Sequence, residues 1–330
     1  MSAPTPAHRA IAVMTLVPVL VALALWAFAW PAARTAPRDL PVGVAGPAAA
    51  VAQVEQRLEQ RPGAFEVHRY DDGDAARAAI QDRVVYGAVV VTPQGPRLLT
   101  ASAGSPVVAG LLKDAVTAQA PAGEPVRVTD VVAAPAGDPR GSALASSILP
   151  LALAGVAAGA MVTLLGLRGS RAALALTGAA ALVGLTATAL AHSWLGVLTG
   201  NWWAEAGVLG LTVLAIAGAV AGFAALFGAR GIAVGGLLML LIGNPFSGAA
   251  SAPELLPDPA GMIGQWLPPG AGTQLLRSVS YFDGGGAGEA VLTLSLWAAL
   301  GLAAVLAGGR SARPAAVSEK SQRPAPAPVG

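Results

Sequence analysis

Long apolar runs and short alternating ones divide this chain into two kinds of territory. Apolar residues are nearly continuous over Ile11–Trp30 and again over five stretches, 143–166, 172–192, 206–227, 231–250 and 290–308. A helix needs about 20 apolar residues to cross a hydrocarbon core of roughly 30 Å, so the pattern predicts six membrane spans. The first run follows His8 and Arg9. Its length suits a span better than the core of a cleaved signal, although the small residues of "PAARTA" resemble a cleavage site.

Residues 34–140 carry a different rhythm. "LPVGVAG" (40–46), "AFEVHRY" (64–70), "YGAVVVT" (86–92), "PRLLTA" and "PVRVTDVVA" (125–133) read as strands. Between them Val51, Val54 and Leu58 recur at helical spacing, as do Val107, Val108, Leu111, Leu112 and Ala115. Asp71 or Asp72 offers a helix cap before "AARAAIQDR". Strands alternating with helices predict one small α/β domain. Its 11 Arg/Lys and 12 Asp/Glu set it apart from the rest of the chain.

The run at 231–250 raises a difficulty. Only Gly231–Gly243 separates Arg230 from Asn244-Pro245, about 20 Å of helix. The following "PFSGAASAPELLPDPAG" is too polar for lipid and too apolar for an ordinary loop. Residues 244–285 then hold two short apolar pieces, around Met262–Leu267 and Gly272–Val279, on either side of Pro268-Pro269-Gly270. Irregular backbone at membrane depth requires cover from protein or from a water-filled cavity. Two arrangements fit: a pair of short helices dipping in from the outer face, or an amphipathic loop lying flat on it.

Composition settles the class. The chain is 55% hydrophobic and 12% charged, with a mean hydropathy of +0.63, as an integral membrane protein requires. A net charge of +2 gives no argument for a nucleic-acid partner. Arg outnumbers Lys 18 to 2 amid abundant Ala, Gly and Pro, a bacterial, GC-rich signature, and Cys is absent. Basic residues of the short connectors are Arg168 and Arg171 in "LRGSR" and Arg230 in "GARG", with Arg310, Arg313, Lys320 and Arg323 in the tail; 192–205 holds no Lys or Arg. The positive-inside rule therefore predicts a bacterial cytoplasmic-membrane protein with both termini inside and 34–140 outside. Trp26, Trp30, Trp194, Trp202, Trp203 and Trp266 fall near the outer interface, and only Trp297 sits mid-span. The predicted organisation is a first helix in 1–33, an extracytoplasmic α/β domain over 34–140, a five-helix domain over 141–308 and a disordered cytoplasmic tail over 309–330.

The chemistry is defined by what is missing. No stretch fits a phosphate loop, a dinucleotide fingerprint or a nucleophile elbow. His8, His68 and His192 lie on different sides of the membrane or far apart, so they make no shared metal site. No enzyme is expected, nor any metal or cofactor bound by this chain. Pairs of small residues, Gly155 with Gly159 and Gly218 with Gly222, permit close helix packing, within the chain or across a dimer seam.

One span, a large external domain and five more spans with a re-entrant segment before the last resemble the permeases of ABC-2-type exporters. The closer likeness is to the phage-infection-protein-like (Pip-type) branch. It is carried by "LPVGVAG", "AARAAIQDRVVYGAVVVTP", "GNPFSG" and "LPPGAGTQLLRSVSYF". The resemblance implies an export permease, a homodimer or half of a heterodimer, energised by an ATPase on another chain, so that ATP acts only through that subunit. It also implies an external gate at Asn244, Pro245, Pro268, Pro269, Gly270 and Arg277, and makes Arg168, Arg171 and Arg230 the cytoplasmic coupling candidates. Cargo would be a hydrophobic molecule, lipid or peptide. Against coupling stands the brevity of "LRGSR"; a non-transporting scaffold or receptor, its external domain binding an extracytoplasmic partner, is the alternative.

Overall fold

The computed structural model describes residues 6–119 and 126–311. Most of the tail, including Arg313, Lys320 and Arg323, lies outside the described residues. Five helices are long and apolar enough to cross a membrane, and the chain is a polytopic helical membrane protein. They are α1 (Pro6–Ala33), α5 (Ser142–Leu164), α6 (Gly169–Thr188), α7 (Trp202–Phe227) and α11 (Gly288–Ser311). A π-helical turn, Ala189–Trp194, extends α6. The hub is α7, 72% of whose apolar window is buried inside the protein, whereas α1 has 6% and lies at the periphery.

The expected sixth full span, 231–250, is not formed. α8 (Ala229–Leu237) passes into a π-helical turn, Leu238–Gly243, and the helix stops. At 1.5 Å per residue this piece reaches little more than about 20 Å. Pro245 has no N–H to continue the ladder. Gly243 lies so close to the Pro269 ring that a Cβ would sit 2.8 Å from its Cγ.

Close helix contacts use the small residues within the chain. A Cβ on Gly155 would lie 2.7 Å from the Ile216 side chain, and one on Gly159 would lie 2.6 Å from the Ala217 carbonyl oxygen. Gly218 and Gly222 face Gly301 of α11, whose own Cβ would come within 2.3 Å of the Gly218 carbonyl carbon. All four glycines thus seat α5 and α11 against α7.

Residues between α1 and α5 build a five-stranded sheet from β1 (Leu40–Ala45), β2 (Phe65–Tyr70), β3 (Gly87–Thr92), β4 (Gly95–Thr100) and β5 (Arg127–Asp130), in the order β2-β1-β3-β4-β5. β1 runs parallel to β2 and β3, β3–β4 is an antiparallel hairpin, and β5 returns parallel to β4. Helices α2 (Ala48–Glu59), α3 (Gly73–Gln81) and α4 (Pro106–Gln119) make the connections, as parallel pairing demands. Asp72, in extended backbone, caps α3 by accepting from the N–H groups of Asp74 and Ala75 at 3.0 and 2.8 Å.

This unit does not close its core alone. On one face Leu40, Val42, Leu98, Val108 and Leu112 pack with Ala252 and Leu255, which follow α8. On the other, Ala45, Ile80, Val85, Ala88 and Leu99 pack with Phe282, which follows the next helical pair. The segment between α8 and α11 thus inserts apolar side chains into both layers of the sheet.

Candidate functional site: the broken helix beneath the sheet

Two short helices, α9 (Ala260–Gln265) and α10 (Pro268–Tyr281), form a hairpin between α8 and α11. Pro268 and Pro269 fall in the first turn of α10, where the N–H groups they lack would have had no helical partner. The hairpin tip lies deep in the helix bundle. Trp297, nine residues into α11, donates from Nε1 to the Trp266 carbonyl at 2.8 Å, which puts the tip about 13 Å along that helix. Gly272 lies against Thr212, ten residues into α7, where a Cβ would come within 2.5 Å of Cγ2. The joint therefore sits beside the middle turns of two spans. Close approach explains its glycines: a Cβ on Gly264 would sit 1.7 Å from the Phe246 carbonyl oxygen, and one on Gly270 would sit 2.1 Å from that of Gly264.

Residues 244–252, unwound beside this hairpin, expose main-chain groups in apolar surroundings, where each needs a partner. Polar side chains supply several. Ser247 Oγ donates to the Asn244 carbonyl at 2.7 Å and accepts from the Ala249 N–H at 3.3 Å. Gln265 Nε2 donates to the Ser247 carbonyl at 3.2 Å. Arg277, only 4% exposed, donates from Nη2 to the Ala249 carbonyl at 2.7 Å. Of the gate candidates, Asn244, Pro245, Pro268, Pro269, Gly270 and Arg277 converge on this one locus. Arg168, Arg171 and Arg230 do not join it: all three are exposed at the opposite end of the bundle.

From above, the α/β unit reaches down with Arg83. This residue adopts φ 60°, a left-handed conformation that a non-glycine side chain occupies at a cost. Its Nη1 donates to the Gln274 carbonyl at 2.8 Å and to Ser278 Oγ at 2.6 Å, and its Nη2 bonds Gln274 Oε1. The guanidinium also sits 5.2 Å from the Phe282 ring centroid, in cation–π range. Burial pushes its pKa below the ordinary arginine value. Nearby, Tyr86 Oη donates to Glu254 Oε2 at 2.8 Å. Burial first, and the Glu254 charge second, raise that phenol well above its ordinary range. Arg38, just below β1, donates to the carbonyls of Ala36, Leu255 and Arg34 at 3.0, 3.1 and 2.9 Å. Between sheet and hairpin lies a cavity of 780 Å³.

A second polar cluster joins α6 to α7. Glu205, in the first turn of α7, is 0% exposed. It accepts from the Gly200 N–H at 2.8 Å and lies 2.7 Å from His192 Nδ1. His192 is half-buried and pairs with the fully buried Glu205, the kind of partner a carboxyl group at a span end needs. His68 is a half-buried strand residue beside Glu66.

The sequence pattern does not single out Arg83, Tyr86, Gln265 or Glu254 as parts of one site. Their signal was weak but present: an arginine and a tyrosine three residues apart at a helix–strand turn, and a lone glutamate in an apolar stretch. Compared with family models, with curated proteins and with solved structures, the chain matches none.

Proposed function

We propose that this chain is the membrane-spanning permease component of an ABC-2-type export system, akin to the Pip-type proteins, moving a hydrophobic molecule, lipid or peptide out of a bacterial cell. An ATPase on a separate chain energises it, and the working form is a homodimer or heterodimer. The observation that carries this reading is the interrupted span: α8 ends beside the middle of the bundle, and the α9–α10 hairpin fills the space that a continuous helix would occupy. A membrane anchor needs no such break, whereas a pathway needs backbone that opens at depth.

Orientation follows from charge. Arg168, Arg171 and Arg230 share the bundle end opposite the α/β unit, so the positive-inside rule puts the sheet outside and the arginine end in the cytoplasm. There the three guanidiniums form the surface on which an ATPase would act. The hairpin, Asn244, Pro245 and Arg277 form the outer gate, and Arg83 ties that gate to the external unit.

The test is purification of the tagged protein from its native membrane in mild detergent. An ATP-binding subunit in near-stoichiometric amount, with vanadate-sensitive ATP hydrolysis lost in an Arg168→Ala/Arg171→Ala variant, is the expected outcome. Recovery of an extracytoplasmic protein and no ATPase would replace this reading with that of a scaffold.

A further inference from the structure

The cavity beneath the sheet adjoins a second one. Trp266 and Thr293 line both it and a second, apolar space of 480 Å³ between α7 and α11. That groove passes Trp297 and ends at Leu226 and Ala304. Along α11, Thr293 to Ala304 spans about 16 Å, close to half of a hydrocarbon core of roughly 30 Å, the depth of one leaflet. Its outer wall is open: Leu226, Leu296 and Leu300 are 66%, 52% and 67% exposed. Gly222 and Gly301 form the floor where the two helices touch, with no side chain to fill the groove there.

The polar end has its own composition. Its charged lining is Arg38, Arg83, Glu254, Asp258 and Glu289, two cations against three anions. Arg38 and Arg83 direct their donors to main-chain carbonyls and to Gln274 and Ser278, not to carboxylates. Glu254 accepts from Tyr86. Asp258 and Glu289 line the cavity, are exposed, and take part in no ion pair among the described residues. The net balance of this lining is acidic.

We propose that these two adjoining spaces together hold one zwitterionic, amine-bearing membrane lipid. An acyl chain lies in the α7–α11 groove, the phosphate faces Arg38, and the ammonium faces Asp258 and Glu289. Anionic and cationic groups of the head each meet their complement, and the chain replaces lipid contacts that the groove makes anyway. Binding is a property of this chain alone; only the naming of such a lipid as cargo rests on the export reading.

The experiment uses the purified, delipidated full chain in detergent. Phosphatidylethanolamine and phosphatidylglycerol of identical chains compete for it, and native mass spectrometry reads the bound species. The expected result is at least a tenfold preference for phosphatidylethanolamine, lost in the Asp258→Asn/Glu289→Gln variant. Leu226→Trp, at the exposed foot of the groove, is expected to shift the preference toward shorter chains without unfolding the protein, as checked by circular dichroism. Equal retention of the two head groups, or a chain-length preference unmoved by Leu226→Trp, overturns the proposal. Neither result depends on an ATPase being found, so this proposal and the export reading fail separately.

Discussion

Arg83 of the α/β unit and Gln274 of α10, 191 residues apart in sequence, are joined twice, through the Gln274 main-chain carbonyl and through its side-chain oxygen. The same guanidinium reaches Ser278 one turn further on. A charged head half-buried between two units is costly unless its donors are occupied. Arg83 therefore works as a latch, held in left-handed backbone so that it can point into the membrane-facing side.

Replacing Arg83 with Ala is expected to destabilise the union of the two units by about 2–4 kcal/mol, because it strands hydrogen-bond acceptors in a poorly hydrated place. Thermal unfolding in detergent, with limited proteolysis of the segment leading into α5, measures it. Arg83→Lys should recover only part of the loss, since its donors radiate from one nitrogen and lack the spread of the guanidinium fork that reaches Gln274 twice and Ser278 as well. An unchanged melting temperature in Arg83→Ala would show that the latch contributes nothing.

Arg277 serves the unwound backbone instead. Removing it in Arg277→Ala leaves the Ala249 carbonyl without its donor, at a cost of about 1–3 kcal/mol. Hydrogen exchange should then quicken in 244–252 well before it does in α7. Uniform exchange across the chain would argue against this role.

Tyr86 gives an alkaline signature. Its folded-state pKa is raised, so the protonated phenol is favoured by folding and its contribution is complete below the ordinary tyrosine pKa, about 10. Above that the unfolded chain ionises first, and stability falls as pH climbs toward the folded value. Tyr86→Phe should flatten this part of the stability–pH curve. It should also lower stability by about 1 kcal/mol at neutral pH through the lost bond to Glu254.

Helix packing should be asymmetric around α7. Gly301→Leu would drive a side chain into the Gly218 backbone and is expected to abolish folding. Gly218→Ala, with 3.6 Å of room to Gly301, should be mild. Comparable yields and melting temperatures for the two would mean that α7 and α11 separate more easily than the close approach implies.

Orientation can be checked by thiol labelling, since the chain has no cysteine. Ser247 and Ser278 are 1% and 0% exposed and would report nothing. Ala52 and Ser170 are exposed at the two ends. An impermeant reagent added to intact cells should modify Ala52→Cys and spare Ser170→Cys; the reverse pattern would invert the topology.

The apolar runs located the five long helices to within a few residues, because lipid leaves backbone no partner except its own helix. Alternation and caps placed the strands, with Asp72 rather than Asp71 as the cap. The interrupted span was legible as an anomaly, though drawn too long: the helix ends at Gly243, since Pro269 occupies the space beyond. What the sequence could not convey was partnership. Nothing in the local pattern around Arg83, Glu254 or Phe282 tells that they meet, because each is set by packing across long separations. Glu205 does stand at the start of a span, but its burial against Gly200 and His192 is likewise set by residues outside its own helix.

The shared core also orders events in time. Leu40 and Ile80 leave the ribosome early, yet Leu255 and Phe282, which complete the two layers around them, emerge only after α5, α6, α7 and α8 have been made. Loop closure over such separations is slow, and unfinished apolar surface is exposed meanwhile. The sheet thus waits, partly assembled, for a late strip of chain to arrive, which makes nascent chains truncated before residue 255 the form most in need of a chaperone.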